Sequence, residues 1–213
     1  KHVLCEKAFT VNADQARALF KLAEEKNLLI TEAIWTRYMP SRKIIQDIVE
    51  SGVIGEVTSL TANLSYAVTE KERIRKPELA GGALLDVGVY PINFASMVLG
   101  ENLKDVQSSA IFEGGVDILE TIIMNFEENK MATLQSGVRE ISDRMGSIFG
   151  TKGYIQVQNI NNPEKITVFN QNHEETASYF PPKQITGYEY EVRACKKALE
   201  EGKIECPEMP HDE

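Results

Sequence analysis

The sequence is poor in basic residues, cysteines and histidines, and each shortage excludes a class of protein. Its 23 lysines and arginines are outnumbered by 32 acidic residues, which gives a net charge of −9. We therefore expect no nucleic-acid or anionic-membrane partner, because either would require a basic face. Three histidines offer no arrangement of the Ser-His-Asp type. Three cysteines cannot all pair, so we expect reduced thiols and a cytoplasmic location.

Long apolar runs and targeting signals are also missing. The longest uncharged stretch lies between Asp86 and Glu101 and is too short and too polar to span a bilayer. The chain has neither an initiator methionine nor a signal-peptide pattern, and it starts on the strand-like piece His2-Val3-Leu4-Cys5. We expect a chain that begins within a fold. Its 213 residues, 42% of them hydrophobic, suffice for one large domain or one and a half.

The first 33 residues predict a strand, a helix and a second strand. Residues 2–5 predict a short buried strand, and Asn12 with Gln15 three residues later is typical of a capped helix start. Apolar residues keep helical spacing to about Asn27, and residues 28–33 form a second apolar run. Short connections between these elements indicate parallel strands joined by a crossover helix.

The rest of the chain predicts one more buried helix, a large sheet and a last helix. Pro40 is well placed at the first turn of a helix, and an alternating strand begins after Gly55. Seven further β-type segments follow between residues 106 and 180, with Gly150-Thr151-Lys152-Gly153 as a hairpin turn. The last helix is predicted from about residue 188 to 201, and its apolar face carries Tyr188, Val192, Cys195 and Leu199. So many consecutive short strands indicate a mainly antiparallel sheet.

The most informative segment runs from Gly81 to Pro91. Asp86 and Tyr90 stand four residues apart, so a helix places them on one face. The surrounding run is apolar enough to be buried, and a buried carboxylate and phenol need partners or a function. Pro91 lacks a backbone donor and is expected to kink the helix. The charged segment between Thr69 and Ala80 is either a solvated connection or a cover for a site.

Four motifs together resemble the glucose-fructose oxidoreductase and inositol dehydrogenase (Gfo/Idh/MocA) family, most closely its dihydrodiol dehydrogenase-like branch. They are His2-Val3-Leu4-Cys5-Glu6-Lys7, Glu32-Ala33-Ile34-Trp35-Thr36-Arg37, Gly81 to Pro91, and Glu205-Cys206-Pro207-Glu208-Met209-Pro210-His211. Each alone is weak. Their order and spacing extend the resemblance over nearly the whole chain.

The resemblance implies an α+β fold and a division into two domains. A large, mainly antiparallel open sheet with helices on one face would follow the βαβ edge of a Rossmann domain. Residues 1–33 would be the last part of that NAD(P)-binding domain, and residues 34–213 the substrate-binding and dimerisation domain. The Gly-x-Gly-x-x-Gly turn that binds the cofactor phosphates is absent from this sequence. We therefore expect a fragment that lacks the N-terminal cofactor-binding half and is inactive as it stands.

The implied activity is hydride transfer between NAD or NADP and a sugar, polyol or dihydrodiol. By the resemblance Lys7, Asp86 and Tyr90 are catalytic, and Glu6, Lys7, Trp35 and Arg37 bind the cofactor. Alcohol oxidation needs a base for the hydroxyl proton. A tyrosine, with an ordinary pKa of about 10, serves near neutrality when a cation stabilises its phenolate. Lys7 would be that cation, and Asp86 would accept from a substrate hydroxyl or orient the lysine.

Structural roles for the same residues stay open. A lysine after a strand is usually solvated, an aspartate in a first helical turn is usually a dipole partner, and a helix tyrosine usually packs. Trp35 and Arg37 either line the nicotinamide side of the cleft or anchor two domains. Ala8 replaces the proline of the family's Glu-Lys-Pro motif, and a non-proline peptide bond is rarely cis, so we expect Lys7 to point differently.

Two further expectations complete the sequence-based hypothesis. Cys206, Glu208, His211 and Asp212 match no zinc spacing, so we predict no metal site. The resemblance implies a homodimer formed through the open sheet. The alternative to an enzyme is a non-catalytic module for dimerisation or small-molecule sensing, which the Ala8 replacement favours.

Overall fold

The computed structural model describes residues 1–212 and shows five α-helices and ten β-strands among them. The strands are β1 Val3–Glu6, β2 Ile30–Ala33, β3 Val57–Ser65, β4 Leu103–Glu113, β5 Val116–Phe126, β6 Lys130–Gly137, β7 Gly146–Gly150, β8 Gly153–Gln158, β9 Lys165–Asn170 and β10 Glu175–Tyr179. The helices are α1 Ala13–Lys26, α2 Pro40–Glu50, α3 Glu72–Arg75, α4 Val89–Leu99 and α5 Glu189–Glu200.

The chain divides into two compact units. Residues 1–39 and the C-terminal segment from Lys183 form the smaller unit, and Pro40–Pro182 form the larger one. The assignment of residues 1–33 and 34–213 to two domains stays a prediction. The compact units differ from it because the C-terminal segment joins the N-terminal one through the Ile30 N–H, which donates to the carbonyl of Ile204 at 3.0 Å.

The smaller unit is a strand-helix-strand motif completed by α5. Strands β1 and β2 pair in parallel, with Val3 opposite Ile30. Asn12 caps α1, because its side chain accepts from the Gln15 N–H at 3.0 Å. Val3 and Leu4 are 42% and 36% exposed, so the prediction of a buried first strand is wrong. Only β2 pairs with this strand among the described residues.

The larger unit is built on an eight-stranded sheet in the order β10-β9-β8-β7-β3-β6-β5-β4. All neighbouring strands are antiparallel except β3 and β6, which run parallel. The two-residue connection between Gly150 and Gly153 is the predicted hairpin turn. Together with the parallel pair of the smaller unit, this sheet confirms the predicted α+β fold with a large, mainly antiparallel sheet.

One face of the sheet carries the core of the larger unit. Alternate residues of β5 and β6 are buried, among them Ile118, Ile122 and Leu134. Helices α2 and α4 supply the opposing apolar side chains, such as Ile48 and Phe94. Between Pro77 and Leu99 the chain is apolar and long enough to cross a membrane by length and composition alone. Many of its apolar side chains are buried in this core instead.

Candidate active site

The predicted catalytic aspartate and tyrosine lie on a continuous helical segment with an irregular start. Leu84–Gly88 form a π-helical turn, in which the Val89 N–H bonds to the carbonyl of Leu84, and α4 follows directly. Asp86 belongs to the π-helical turn and Tyr90 to the first turn of α4. We expected a kink at Pro91, but the departure from α-helical geometry precedes that residue. Such widened turns are frequent at functional sites.

Asp86 forms an ion pair with an arginine that the sequence did not single out. Its Oδ1 accepts from Arg73 Nη1 at 2.6 Å, and the Asp86 side chain is only 12% exposed. Arg73 lies in α3, within the charged segment between Thr69 and Ala80. Ile74 beside it is 1% exposed and packs in the sheet core. The segment therefore contacts Asp86 through Arg73, and its role as a cover for a site stays a prediction.

Tyr90 is half-buried against the core of the larger unit. Two side chains of α4 donate hydrogen bonds to backbone carbonyls of the same helix. Asn93 donates from Nδ2 to the Val89 carbonyl at 2.8 Å, and Ser96 donates to the Asn93 carbonyl at 3.2 Å. Tyr90 thus lies at the start of α4, where these hydrogen bonds reinforce the helix backbone.

Two carboxyl groups on β5 support the same segment from the sheet, and sequence reasoning missed both. Asp117 Oδ2 accepts from the Leu84 N–H at 2.6 Å, where the helical segment begins. Glu120 is 5% exposed and accepts from the Ser136 hydroxyl at 2.6 Å. A side chain at Gly88 would overlap Glu120. Glu120 could have been identified from the sequence, because it is an acidic residue at an inward-facing position of a strand with alternating burial.

Glu6 and Lys7 end the first strand of the smaller unit. Glu6 lies opposite Ala33, and the Lys7–Ala8 peptide bond is cis. Glu32, opposite Cys5 on β2, accepts from the Phe9 N–H at 2.9 Å. Burial raises the pKa of Glu32, while the positive charges of Arg37 and Lys7 oppose the shift. The charges of Lys7 and Arg37, which are both predicted to bind the cofactor, thus both lower the pKa of Glu32.

Trp35 and Arg37 occupy a short 3-10 helix directly after β2. The indole stacks on the ring of Tyr188, with 4.9 Å between centroids. Gly187 has a positive φ of 98°, and a Cβ there would lie 2.8 Å from the indole. Arg37 is 2% exposed and donates to the carbonyl of Glu208 at 3.2 Å. These contacts hold both side chains within the smaller unit, and both roles considered for them, lining the nicotinamide side of the cleft or anchoring two domains, stay predictions.

The residues of the C-terminal motif have structural partners. The His211 ring stacks on Phe20 at 4.1 Å, and its Nε2 lies 2.9 Å from the Ile30 carbonyl oxygen. Cys206 is fully buried, 3.8 Å from Cys195 between the sulfur atoms. This segment therefore closes the smaller unit over β2.

The six predicted site residues fall into two groups. Asp86 and Tyr90 belong to the larger unit, and Glu6, Lys7, Trp35 and Arg37 belong to the smaller one. The structure brings Asp86 and Tyr90 onto one helical segment. The catalytic and cofactor-binding roles of all six remain predictions.

The sequence is similar to a known protein family and to curated proteins. Residues 43–156 match the family described as the GFO/IDH/MocA C-terminal domain. A trans-1,2-dihydrobenzene-1,2-diol dehydrogenase of Xenopus laevis is 32% identical over 219 residues, which cover 98% of this chain and 66% of the relative. A D-xylose 1-dehydrogenase (NADP(+)) of Hypocrea jecorina is 33% identical over 246 residues, covering 100% of this chain and 63% of the relative. The chain thus spans just under two thirds of these curated relatives.

Solved structures share the whole fold of this chain. The 3-ketoreductase KijD10 of Actinomadura kijaniata, in complex with NADP and TDP-benzene, superposes with a TM-score of 0.90 at 26% identity, covering 100% of this chain and 66% of the reductase. Variants of that reductase with one tyrosine or one lysine replaced have also been crystallised. An aldose-aldose oxidoreductase of Caulobacter crescentus, at 18% identity, has a TM-score of 0.87 over 100% of this chain and 65% of that enzyme. It shares the fold alone.

Proposed function

Because the chain belongs to the Gfo/Idh/MocA family, we propose that it is the larger part of an NAD(P)-dependent dehydrogenase. The family match confirms the resemblance inferred from four sequence motifs. The proposed reaction is hydride transfer between the nicotinamide and a sugar, polyol or dihydrodiol-type alcohol. NADP is favoured over NAD because the D-xylose dehydrogenase and the 3-ketoreductase similar to this chain are both described with NADP.

One observation carries the proposal. A half-buried tyrosine lies in the first turn of α4, four residues after an aspartate held in an ion pair, and the chain superposes on 66% of a ketoreductase solved with NADP. A phenol in this position is suited to exchange a proton with a substrate hydroxyl. The nicotinamide, when bound, supplies hydride acceptance.

In this scheme Tyr90 is the general acid or base, Lys7 stabilises its phenolate, and Asp86 binds the substrate. The ion pair with Arg73 orients the Asp86 carboxylate, whose oxygens are acceptors suited to a substrate hydroxyl group. Glu6, Lys7, Trp35 and Arg37 are proposed to contact the cofactor. Since the Gly-x-Gly-x-x-Gly turn is not in this sequence, we propose that residues 1–213 alone are inactive.

The deciding experiment compares Tyr90→Phe with the unaltered protein, in a form that includes any residues preceding Lys1. Calorimetry measures binding of NADP and NAD, and absorbance at the nicotinamide band measures alcohol-dependent reduction. We expect equal cofactor affinity and a kcat lower by about 10² to 10⁴ in Tyr90→Phe. Tyr154→Phe, on β8 of the sheet, is the matched control with unchanged kcat. Absence of cofactor binding, or equal turnover in both proteins, would refute the proposal.

We also propose a homodimer formed through the face of the sheet opposite the core, in a cytoplasmic protein. Support comes from the exposed side chains at the sheet's centre, Thr61, Thr121 and Thr133, which no helix of the described residues covers. The free thiols of the three cysteines suit a reducing compartment. Sedimentation should show a dimer that Thr133→Arg converts to a monomer. A monomeric parent protein would exclude this arrangement.

A further inference from the structure

Glu120 is an unusual residue for the middle of a sheet core. It points to the buried face of β5, where its neighbours along the strand, Ile118 and Ile122, are apolar. Its register partner on β6 is Ser136, whose hydroxyl donates to Glu120 Oε1 at 2.6 Å. An acidic residue at such a position costs more to bury than an apolar one, so its presence calls for a role beyond filling the core.

The carboxyl group lies directly beneath the backbone of Gly88. A Cβ built on Gly88 would overlap Glu120 Oε1 and would lie 3.0 Å from Ser136 Oγ. The φ of Gly88 is −64°, which any residue adopts, so the backbone conformation does not require glycine there. A side chain at this position would instead have to displace the Glu120 carboxyl group, and the Ser136 hydroxyl would also have to give way. The π-helical turn therefore rests on Glu120 and Ser136.

This point of support lies midway between the two candidate site residues of the larger unit. Gly88 is two residues after Asp86 and two before Tyr90, and it ends the π-helical turn. Asp117 holds the other end of that turn through the Leu84 N–H. Burial and the nearby charge of Asp117 raise the pKa of Glu120, while the hydrogen bond from Ser136 opposes the shift.

We propose that Glu120 is a positioning residue, which sets the height and angle of the Leu84–Tyr90 segment and thereby the placement of Asp86 and Tyr90. The inference rests on the proposed function for its effect on catalysis. Misplacing a reacting group by about 1 Å can lower the rate about 10²-fold. We therefore expect the contact of Glu120 with this turn to affect kcat more than it affects the stability of the fold.

The test is a double-mutant cycle on Gly88 and Glu120 in the protein with any residues preceding Lys1. Gly88→Ala should lower kcat roughly 10- to 100-fold, because the new methyl group lifts the turn off Glu120. In the Glu120→Ala background the same methyl group enters vacated space, so the double variant should recover at least tenfold over Gly88→Ala. Glu120→Ala alone should lower kcat while the KM for the cofactor changes less than about threefold.

Two further variants separate positioning from general stability. Glu120→Gln keeps the shape and an acceptor for Ser136, and it should retain kcat within about threefold. Ile122→Val lies on the same buried face of β5 away from Gly88 and should cost about 1 kcal/mol of stability with kcat unchanged. If Glu120→Ala leaves kcat unchanged, or Gly88→Ala has the same effect in both backgrounds, the inference is wrong and the proposed function stands.

A readout without turnover keeps the two proposals distinguishable. Amide hydrogen exchange, followed by mass spectrometry on the peptide that spans residues 84–99, needs no activity. Exchange in this peptide should be faster in Glu120→Ala than in Glu120→Gln or Ile122→Val. A parent protein that shows this difference but binds no cofactor would refute the proposed function alone. Equal exchange in all three variants would refute the positioning role.

Discussion

The two units of this molecule differ in how completely they satisfy their buried groups. The larger unit has one continuous apolar core, and its buried Glu120 is paired with Ser136. The smaller unit has a small cluster around Leu29 and Cys206. Among the described residues it leaves three buried side-chain oxygens without a hydrogen-bond partner, on Thr36, Glu191 and Glu208, whereas the larger unit leaves one, on Asn159. Apolar side chains of its strand and helix, such as Val3 and Leu22, are exposed. The sheet unit is therefore expected to be the stable one.

The largest expected effects come from removing a buried leucine in each unit. Leu134→Ala, in the sheet core, and Leu29→Ala, in the small cluster, should each cost about 2 to 5 kcal/mol. Trp35 is the single tryptophan and lies in the smaller unit, so urea unfolding followed by its fluorescence reports that unit. Far-ultraviolet circular dichroism reports mainly the sheet.

We expect the fluorescence midpoint to precede the dichroism midpoint in the parent chain. Leu29→Ala should lower only the fluorescence midpoint, and Leu134→Ala should lower the dichroism midpoint. Coincident transitions that shift together in both variants would show one cooperative structure and remove the distinction between the units.

A smaller effect on stability is expected from the buried carboxyl group of Glu191 in the smaller unit. Burial, with a contribution from the charge of Glu6, raises the pKa of Glu191 from 4.5 to about 7. Between these values the folded chain binds the proton that the unfolded chain has lost. The contribution of this group to the stability of the unit should therefore be greatest below pH 4.5 and fall by roughly 3 kcal/mol as the pH rises through 7.

Glu191→Gln removes the titration while keeping the shape of the side chain. The fluorescence-detected free energy of unfolding should then lose this decline between pH 4.5 and 8. Glu200→Gln, at an exposed position of the same helix, serves as the control and should keep it. A decline of equal size in Glu191→Gln would assign the pH dependence to other groups.

The smallest predicted effect tests the helix cap of the smaller unit. Asn12→Ala removes the acceptor for the Gln15 N–H and should cost about 1 kcal/mol. Asn12→Gly should cost only a few tenths of that amount. Thermal unfolding of the fluorescence signal measures both. A loss in Asn12→Ala no larger than in Asn12→Gly would show that the cap contributes little.

Local patterns predicted the elements well where burial alternates or a cap is present. Strand β5 lies in the region of β-type segments predicted between residues 106 and 180, and its alternate, inward residues are apolar except for Glu120. The helix from Asn12 to Asn27 was likewise predicted from its capping residues, and Asn27 ends it in the left-handed conformation. These features depend on residues within a few positions of each other.

The last helix shows where the same method was wrong. We predicted one apolar face with Tyr188, Val192, Cys195 and Leu199, but Val192 is 58% exposed and Leu199 is 39% exposed. Glu191 and Ala198 are the buried residues of that helix. Periodicity shows that a helix has two faces, but the packing partner decides which one is buried.

The sequence by itself determined the family, the order of the elements and the helical spacing of Asp86 and Tyr90. Four motifs and local periodicity carry that information, because each depends on short separations along the chain. Only the tertiary structure decided that Arg73 pairs with Asp86, and that Glu120 and Ser136 support Gly88. These contacts depend on strand register and on the docking of a helix over a sheet. Register joins residues far apart in the chain, and no local pattern encodes it.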